Sequence, residues 1–517
     1  MIKQKRNRVL IFGGTLVFLI ITYFSAQMVV KSKIESLLAN KLPETMQLSY
    51  ENLTVNLLKG KVEITHVNLT NYGETIKQPN AIIKLEKLSI NGFGYWSFLV
   101  NNLIGINNIS INKPEVTYYQ NPLIPKEEYQ GAKTNNFDKE IRIKEVKLNN
   151  GWVKVLDSET DSLKLQTENI DLKLEKIVYN KNTKTREIPV DFGNYQITFN
   201  SFFAQLGAYE NVKINKAELN NEMATLRDVS MLTKYSRKTL SEIIPVERDH
   251  YNLEIDSLTI KQPKLETSSN SRFLSEKIDF YQPVFKVYRD KLIADDETIK
   301  PLYSKMLRDL DFDLSIDQVE VHDAFISYEE KVKADRKAGL ISFSKFYATI
   351  NQVSNTYKEP TKTSLHINTL FMEHSPLKVL WTFDVNNHSD LFEFKAEMDV
   401  LQASYLNSFT EANLNIHMKG QLDKTYFTIS GTDNASNIDF KVKYKAFDII
   451  ALKEDGKEKN EFLSDVINLF ISKDSKSKTD VFKEVSKTHI ERHKTQSVFN
   501  FIWISTKAGL LKAMTID

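Results

Sequence analysis

The best-spaced pair of metal-ligating side chains in the chain is His489 and His493, four apart in "HIERH" on a predicted helix. A zinc protease places glutamate directly after the first histidine, as the base beside the metal. Here Ile490 holds that position, Glu491 comes second, and the sequence shows no third ligand. An ordinary solvated helix face is therefore the reading. The carboxylate pairs Glu329–Glu330 and Asp295–Asp296 sit in charged runs, where solvation by water is the default. "GFGYWS" at Gly92 lacks the third glycine and the following helix of a dinucleotide loop. There is no phosphate-binding loop and no nucleophile elbow. The absence of cysteine removes disulfides, thiolate metal sites and cysteine nucleophiles together. These residues offer an enzyme no site, and no cofactor or metal is expected.

The elements around them are more informative. The chain has 517 residues, 41% hydrophobic and 26% charged, with a net charge of +2 and acids and bases interleaved throughout. That composition suits a folded, water-facing body and lacks the strongly basic face of a nucleic-acid binder, so no nucleic-acid partner is expected. "KQKRNR" (Lys3–Arg8) carries four positive charges, and the run Val9–Val30 that follows has no charge. Its 22 residues are long enough to cross a hydrocarbon core, and the basic flank places the N-terminus in the cytoplasm. A cleaved signal peptide would have a shorter apolar run and a small-residue cleavage site, which "YFSAQ" is not. An uncleaved single-pass anchor is predicted over residues 1–30, with the bulk of the chain outside the cytoplasm.

"KIESLLANKL" (Lys33–Leu42) predicts a short helix leaving the membrane. From about Gln47 the hydrophobic period changes from 3.6 to 2, which predicts strands with one dry and one wet face over residues 31–452. "VEITHVNL", "IKLEKLSI", "LKLQTENIDLKLEKI" and "IDFKVKYKAF" are examples. One phrase recurs: "GINNISINKPEVTYY" (Gly105–Tyr119), "IKEVKLNNGWVKV" (Ile143–Val155), "IDSLTIKQPKLE" (Ile255–Glu266) and "IDQVEVHDAFISY" (Ile316–Tyr328), with a fainter copy at Ile214–Leu226. Apolar positions two apart are followed by three residues that bend the backbone, then alternation resumes. Pro114, Pro263 and Pro283 mark strand ends or bulges, because proline cannot donate to a ladder.

Helices are predicted at 299–311, with Leu302, Met306 and Leu310 on one face, and over 453–517, where "NEFLSDVINLFISK" precedes a final helix ending in "VFNFIWISTKAGLL". That last stretch is too short to span a bilayer. Its Phe499, Ile502, Trp503 and Leu510 could lie in a membrane interface or dock on a partner, or the helix could close the end of the sheet.

The opening order of a basic start, one anchor, a short helix, "LTVNLLKGKVEITHVNLTN", "IIKLEKLSINGFGYWSFLVNN" and "LIGINNISINKPEVTYY" resembles the AsmA-like family of bacterial envelope proteins. Ala412–Phe447 is similar to that family's C-terminal β-repeats, and "ERHKTQSVFNFIWISTKAGL" resembles tails of related Bacteroidetes-type proteins. The resemblance covers about half of the chain. It implies a mainly β fold: one N-terminal transmembrane helix, a long antiparallel β-sheet curled into an open groove, and a short helical tail. It also implies anchorage in the inner membrane with the bulk periplasmic, phospholipid as the partner, and movement of acyl chains toward the outer membrane.

The positions expected to touch lipid are Ile109, Ile111, Val116, Tyr118, Val146, Leu148, Val153, Leu258, Ile260, Val319, Val321 and Ile326. The alternative is an anchored structural or assembly protein, in which the same residues form a closed core and the tail binds an envelope protein. A dry face has the same sequence pattern whether protein or lipid covers it.

Overall fold

Strict alternation of apolar and polar residues drives this chain into strands, and what bends those strands shapes the site. The computed structural model describes residues 2–40, 42, 44–72, 78–94, 103–121, 140–184, 186, 188–267, 271–453 and 482–515, with the side chains of 2–18, 37 and 267 outside that description. Strand makes up 61% of it and helix 15%, so the chain is mainly β. It divides into two compact units, Met1–Gln205 with Ile214–Asn221, and Leu206–Lys213 with Glu222–Asp517.

The first unit opens with helix α1 (Ile2–Asn40). The helix is unbroken, so the separate helix predicted at Lys33–Leu42 is its last turns. Among the described residues no helix is long and apolar enough to cross a membrane, and Val9–Phe18 of the predicted anchor belong to the part of α1 whose side chains are not described. Nine strands follow: β1 (Met46–Ser49), β2 (Asn52–Asn56), β3 (Lys61–Tyr72), β4 (Pro79–Asn91), β5 (Leu103–Asn112), β6 (Glu115–Gln120), β7 (Glu140–Asp157), β8 (Leu163–Tyr179) and β9 (Tyr195–Leu206). β10 (Glu210–Asn220) straddles the division between the units.

The second unit holds β11 (Met223–Thr233), helix α2 (Arg237–Ile243), β12 (Asp249–Lys261), β13 (Lys264–Thr267), β14 (Ser271–Tyr281), β15 (Val284–Asp290) and helix α3 (Tyr303–Arg308). Next come β16 (Asp313–Lys331), β17 (Gly339–Ser354), β18 (Thr363–Phe371), β19 (Ser375–Phe383), β20 (Phe392–Met398), β21 (Leu401–Gln402) and helix α4 (Asn407–Leu414). It ends with β22 (Ile416–Gly431), β23 (Ala435–Ala451), β24 (Lys483–Glu491) and helix α5 (Val498–Met514).

The pairing is mixed, which corrects the expected antiparallel sheet. β5 and β6 both pair antiparallel with β4 and parallel with β7, so they are one long strand interrupted at Lys113–Pro114. The second unit repeats this plan. β14 and β15 pair antiparallel with β12, run parallel to β16 and are interrupted at Gln282–Pro283. Parallel neighbours need a crossover, and α3 lies in the one between β15 and β16. That is the role of the helix predicted at 299–311. It is shorter than expected, and its apolar residues do not share a buried face, because Leu302 is buried while Met306 is exposed.

The recurring phrase is a kink. Lys113, Asn150, Gln262, Gln282 and Asp323 all have left-handed backbone, with φ of 46, 53, 50, 49 and 54°. Apolar residues stand four and two positions before each, and a proline, glycine or alanine stands directly after. Across Asn150 the apolar parity changes, from Val146 and Leu148 to Val153 and Val155. A Cβ built on Gly151 would lie 2.7 Å from Leu148 Cδ2, 3.3 Å from Pro114 Cγ and 3.4 Å from Ile170 Cβ. Residue 151 therefore points to the same side as Leu148, and by alternation so do Val153 and Val155. The left-handed residue turns the strand so that apolar side chains before and after the kink share one face. Asn169 in β8 and His66 in β3 do the same. β4 and β12 change parity without such a residue, between Leu85 and Leu88 and between Ile255 and Leu258.

One predicted helical segment is a strand, and another cannot be compared. Residues 483–491 form strand β24, so His489 and His493 do not share a helix; His489 itself has φ of 56°. The other, "NEFLSDVINLFISK", lies outside the described residues.

Candidate functional site

Because the kinks align between neighbouring strands, the apolar positions align too. In the first unit Leu53, Ile64, Leu88, Ile111, Leu148, Leu172 and Ile197 are successive register partners across seven strands. Beside them run Val55, Val62, Ile90, Ile109, Val146, Leu174 and Tyr195. Past the kink, Ile83, Val116 and Val153 pair, as do Ala81, Tyr118 and Val155. All seven predicted residues of this unit fall in these rows. From Leu88 and Ile90 onward the rows are half-buried, and among the described residues of this unit no cluster of buried apolar side chains forms over them. Only their first members, Leu53, Val55 and Ile64, are buried. They lie where α1 meets β2, with Tyr23 Oη 3.5 Å from Asn56 Oδ1.

The second unit builds a longer stripe. One row is Leu226, Leu258, Phe280, Val321, Ala348, Ile367, Val379, Ala396, Phe427, Phe440 and Val485, apolar at all eleven strands. The next is Ala224, Ile260, Ile278, Val319, Ile350, Leu365, Trp381, Phe394, Ile429 and Ile438. At about 4.8 Å per strand the first row spans about 48 Å. The predicted Leu258, Ile260 and Val321 are half-buried members, Val319 is buried, and Ile326 is half-buried beyond the kink of β16.

The stripe changes along its length. Near β12–β17 only Ile278, Ile316 and Val319 form a small buried cluster. Toward β19–β23 it is closed by α3 and α5 in a core that includes Leu302, Trp381, Ile429, Ile438, Phe440, Val498 and Phe501. Gly509 lets α5 sit close, since a Cβ there would be 2.9 Å from Phe440 Cβ and 3.1 Å from Ile438 Cδ1. The buried Ser505 and Ser436 hydroxyls share a hydrogen bond of 2.8 Å. On the same strands a cavity of about 820 Å³ is lined mainly by the alternating, largely polar residues, among them His366, Lys378, Lys395, Glu397, Lys441 and Glu484. α5 therefore closes this end of the sheet with one face. Ile502 and Leu510 pack against the core, while Phe499 and Trp503 stay exposed.

Sequence reasoning missed Ile278 and Phe280, although "IDFYQPVFKVY" is the topological counterpart of the "NKP" phrase. The parity change across Gln282 was the signal that marked them. It also missed the one cluster, among the described residues, with the donor set of a metal site: Asp279, Glu320 and His322. These sit on β14 and β16, alternating with the apolar row and so on the other face. Lys277 Nζ already lies 2.9 Å from Asp279 Oδ1 and 3.6 Å from Glu320. Burial alone would raise the Asp279 carboxyl, but hydrogen bonds from His322 and Lys277 outweigh it and hold the group below its ordinary value. The cluster is a compensated ion network.

No family model matches the chain, and no curated protein is similar to it at a significant level.

Proposed function

We infer that the protein is a membrane-anchored carrier of phospholipid acyl chains, held in the inner membrane by α1 with its β-region in the periplasm. The observation that carries this reading is the uninterrupted apolar register of each unit, only partly buried in the first unit from Leu88 and Ile90 onward and at Leu226, Leu258, Phe280 and Val321 in the second. An ordinary core covers such rows. Rows that stay only partly buried suit a ligand that is itself apolar.

A lipid chain in water exposes about 15 methylenes at ~0.8 kcal/mol each, roughly 12 kcal/mol, or close to nine powers of ten in population. A row of branched aliphatic and aromatic side chains removes most of that barrier without any catalytic group. In α1 the apolar Leu19, Ile20, Ile21, Phe24, Met28 and Val29 are exposed around several turns, the surface expected of a helix solvated by lipid. The first members of the apolar rows lie where that helix meets β2. The compartments, and a direction toward the outer membrane, are what the resemblance to the AsmA-like family adds.

The test is native mass spectrometry of the chain lacking residues 1–31, expressed in the periplasm and purified without detergent. Phospholipid bound at several copies per chain is the expected result. A folded, lipid-free mass would overturn the reading and leave an envelope scaffold acting through protein contacts.

A further inference from the structure

The exposed side of α5 is not part of the lipid path, and its composition is unusual. Its buried positions are Val498, Phe501, Ser505, Gly509, Ala513 and Met514. The exposed ones are Phe499, Trp503, Lys507, Leu511 and Lys512. The first four of these recur every four residues, so they form one ridge along the helix. Phe499 is 63% exposed, Leu511 46% and Trp503 41%, large fractions for side chains of this size. The ridge is also held in place. Phe499 stacks edge-on against Tyr303 and Trp381, and Trp503 against Phe409. α5 contains no acidic residue, and its exposed charges are both lysines.

We propose that this ridge docks on an anionic lipid surface, so that the protein has a membrane contact near the C-terminus of its chain separate from α1. Rigid aromatic and aliphatic side chains enter the headgroup boundary, tryptophan prefers that depth, and the lysines meet anionic headgroups. The charge pattern decides between occupants. Along α5 the exposed charges are lysines and no acidic side chain stands between the large apolar ones, a combination that suits anionic headgroups.

The test places the full chain in phosphatidylcholine nanodiscs and measures its capture by flotation with acceptor vesicles of phosphatidylcholine, with or without phosphatidylglycerol. Wild type is expected to float with the anionic vesicles. The double variant F499S/W503S should lose at least about tenfold in capture, and K507E should lose capture on anionic vesicles only. All three altered side chains are exposed; if the double variant nevertheless melts early, K507E and F499S alone give the same readout. Wild type that ignores both kinds of vesicle overturns the proposal and makes a protein the partner of the ridge. Capture unchanged in the variants overturns it as well. The comparison of variants does not depend on what the β-region carries, so it stands or falls apart from the lipid-path reading.

Discussion

Aspartate placed at two positions of the apolar rows separates a lipid path from a core. Ile438 is 1% exposed under α5, among Ile429, Phe440 and Phe501. Ile438→Asp removes a fully packed side chain, a loss of about 2–5 kcal/mol for substitutions of this kind. It also leaves a carboxyl that must either stay charged in an apolar site or protonate at pH 7. Raising its pKa by about 3 units costs about 4 kcal/mol more. The total, on the order of 6–9 kcal/mol, rivals the stability of a typical domain. Ile438→Asp should therefore fail to fold or melt far below wild type.

Ile111 sits in an equally apolar row, between Leu88 and Leu148, yet it is half-buried. An aspartate carboxylate there would keep water, and the loss is about 2 kcal/mol of partial burial. A bound chain suffers more. One strand spacing faces about three or four methylenes, and taking them off the surface costs about 3 kcal/mol, near a hundredfold in occupancy. Urea titration gives the stabilities, and native mass spectrometry of the same preparations gives bound lipid. Ile111→Asp should fold and lose lipid. If it unfolds as Ile438→Asp does, the first unit's rows are a core; if it folds and keeps its lipid, they are not the path.

Other consequences are quickly checked. Asp323, exposed at φ 54°, should accept glycine with equal or better stability, whereas Asp323→Val should cost about 1–2 kcal/mol in thermal unfolding. Gly420 has φ of 90°, and a Cβ there would lie 2.2 Å from Ala446 O, so Gly420→Ala should lower the melting temperature by several degrees. Burial would raise the Glu63 carboxyl, but bonds from Lys61, Lys87 and Ser89 win and lower it from 4.5 to about 2. A depressed carboxyl adds stability above its unfolded pKa and loses it as pH falls through the folded value. Glu63→Gln should thus cost about 1–2 kcal/mol at pH 7 after solvent screening. The difference from wild type should vanish as pH falls from 4.5 toward 2.

The kink was legible because it is local. Two apolar positions, a polar residue, a small residue and a shift of parity together specify a strand that bends with one face kept dry, and Lys113, Asn150 and Asp323 all obey. What the kink connects was not legible. The phrases at Gln262 and Gln282 look alike, yet only the second lies in a strand with a parallel partner, because that depends on the crossover carrying α3. His489 and His493 show the same limit: a spacing of four fits a helix, but Val485 and Ile490 serve β24 instead, with the parity shift falling at the left-handed His489.

The hardest distinction was between a covered and an uncovered apolar row. Ile111 and Ile438 occupy comparable register positions with the same side chain, and alternation treats them alike. They differ because α5 buries its small-residue face on the sheet, with Gly509 directly over Ile438. A helix with small residues on one face, spaced four apart, is built to approach a sheet closely, and that pattern was present in "FIWISTKAGLLKA". Weighed against the larger residues between, it would have marked Ser505, Gly509 and Ala513 as the face that α5 buries. The same reasoning would have set Phe499 and Trp503 on the side that faces outward. A repeated sheet motif determines where the dry face runs, and the helices that lack the motif determine how much of it is left open.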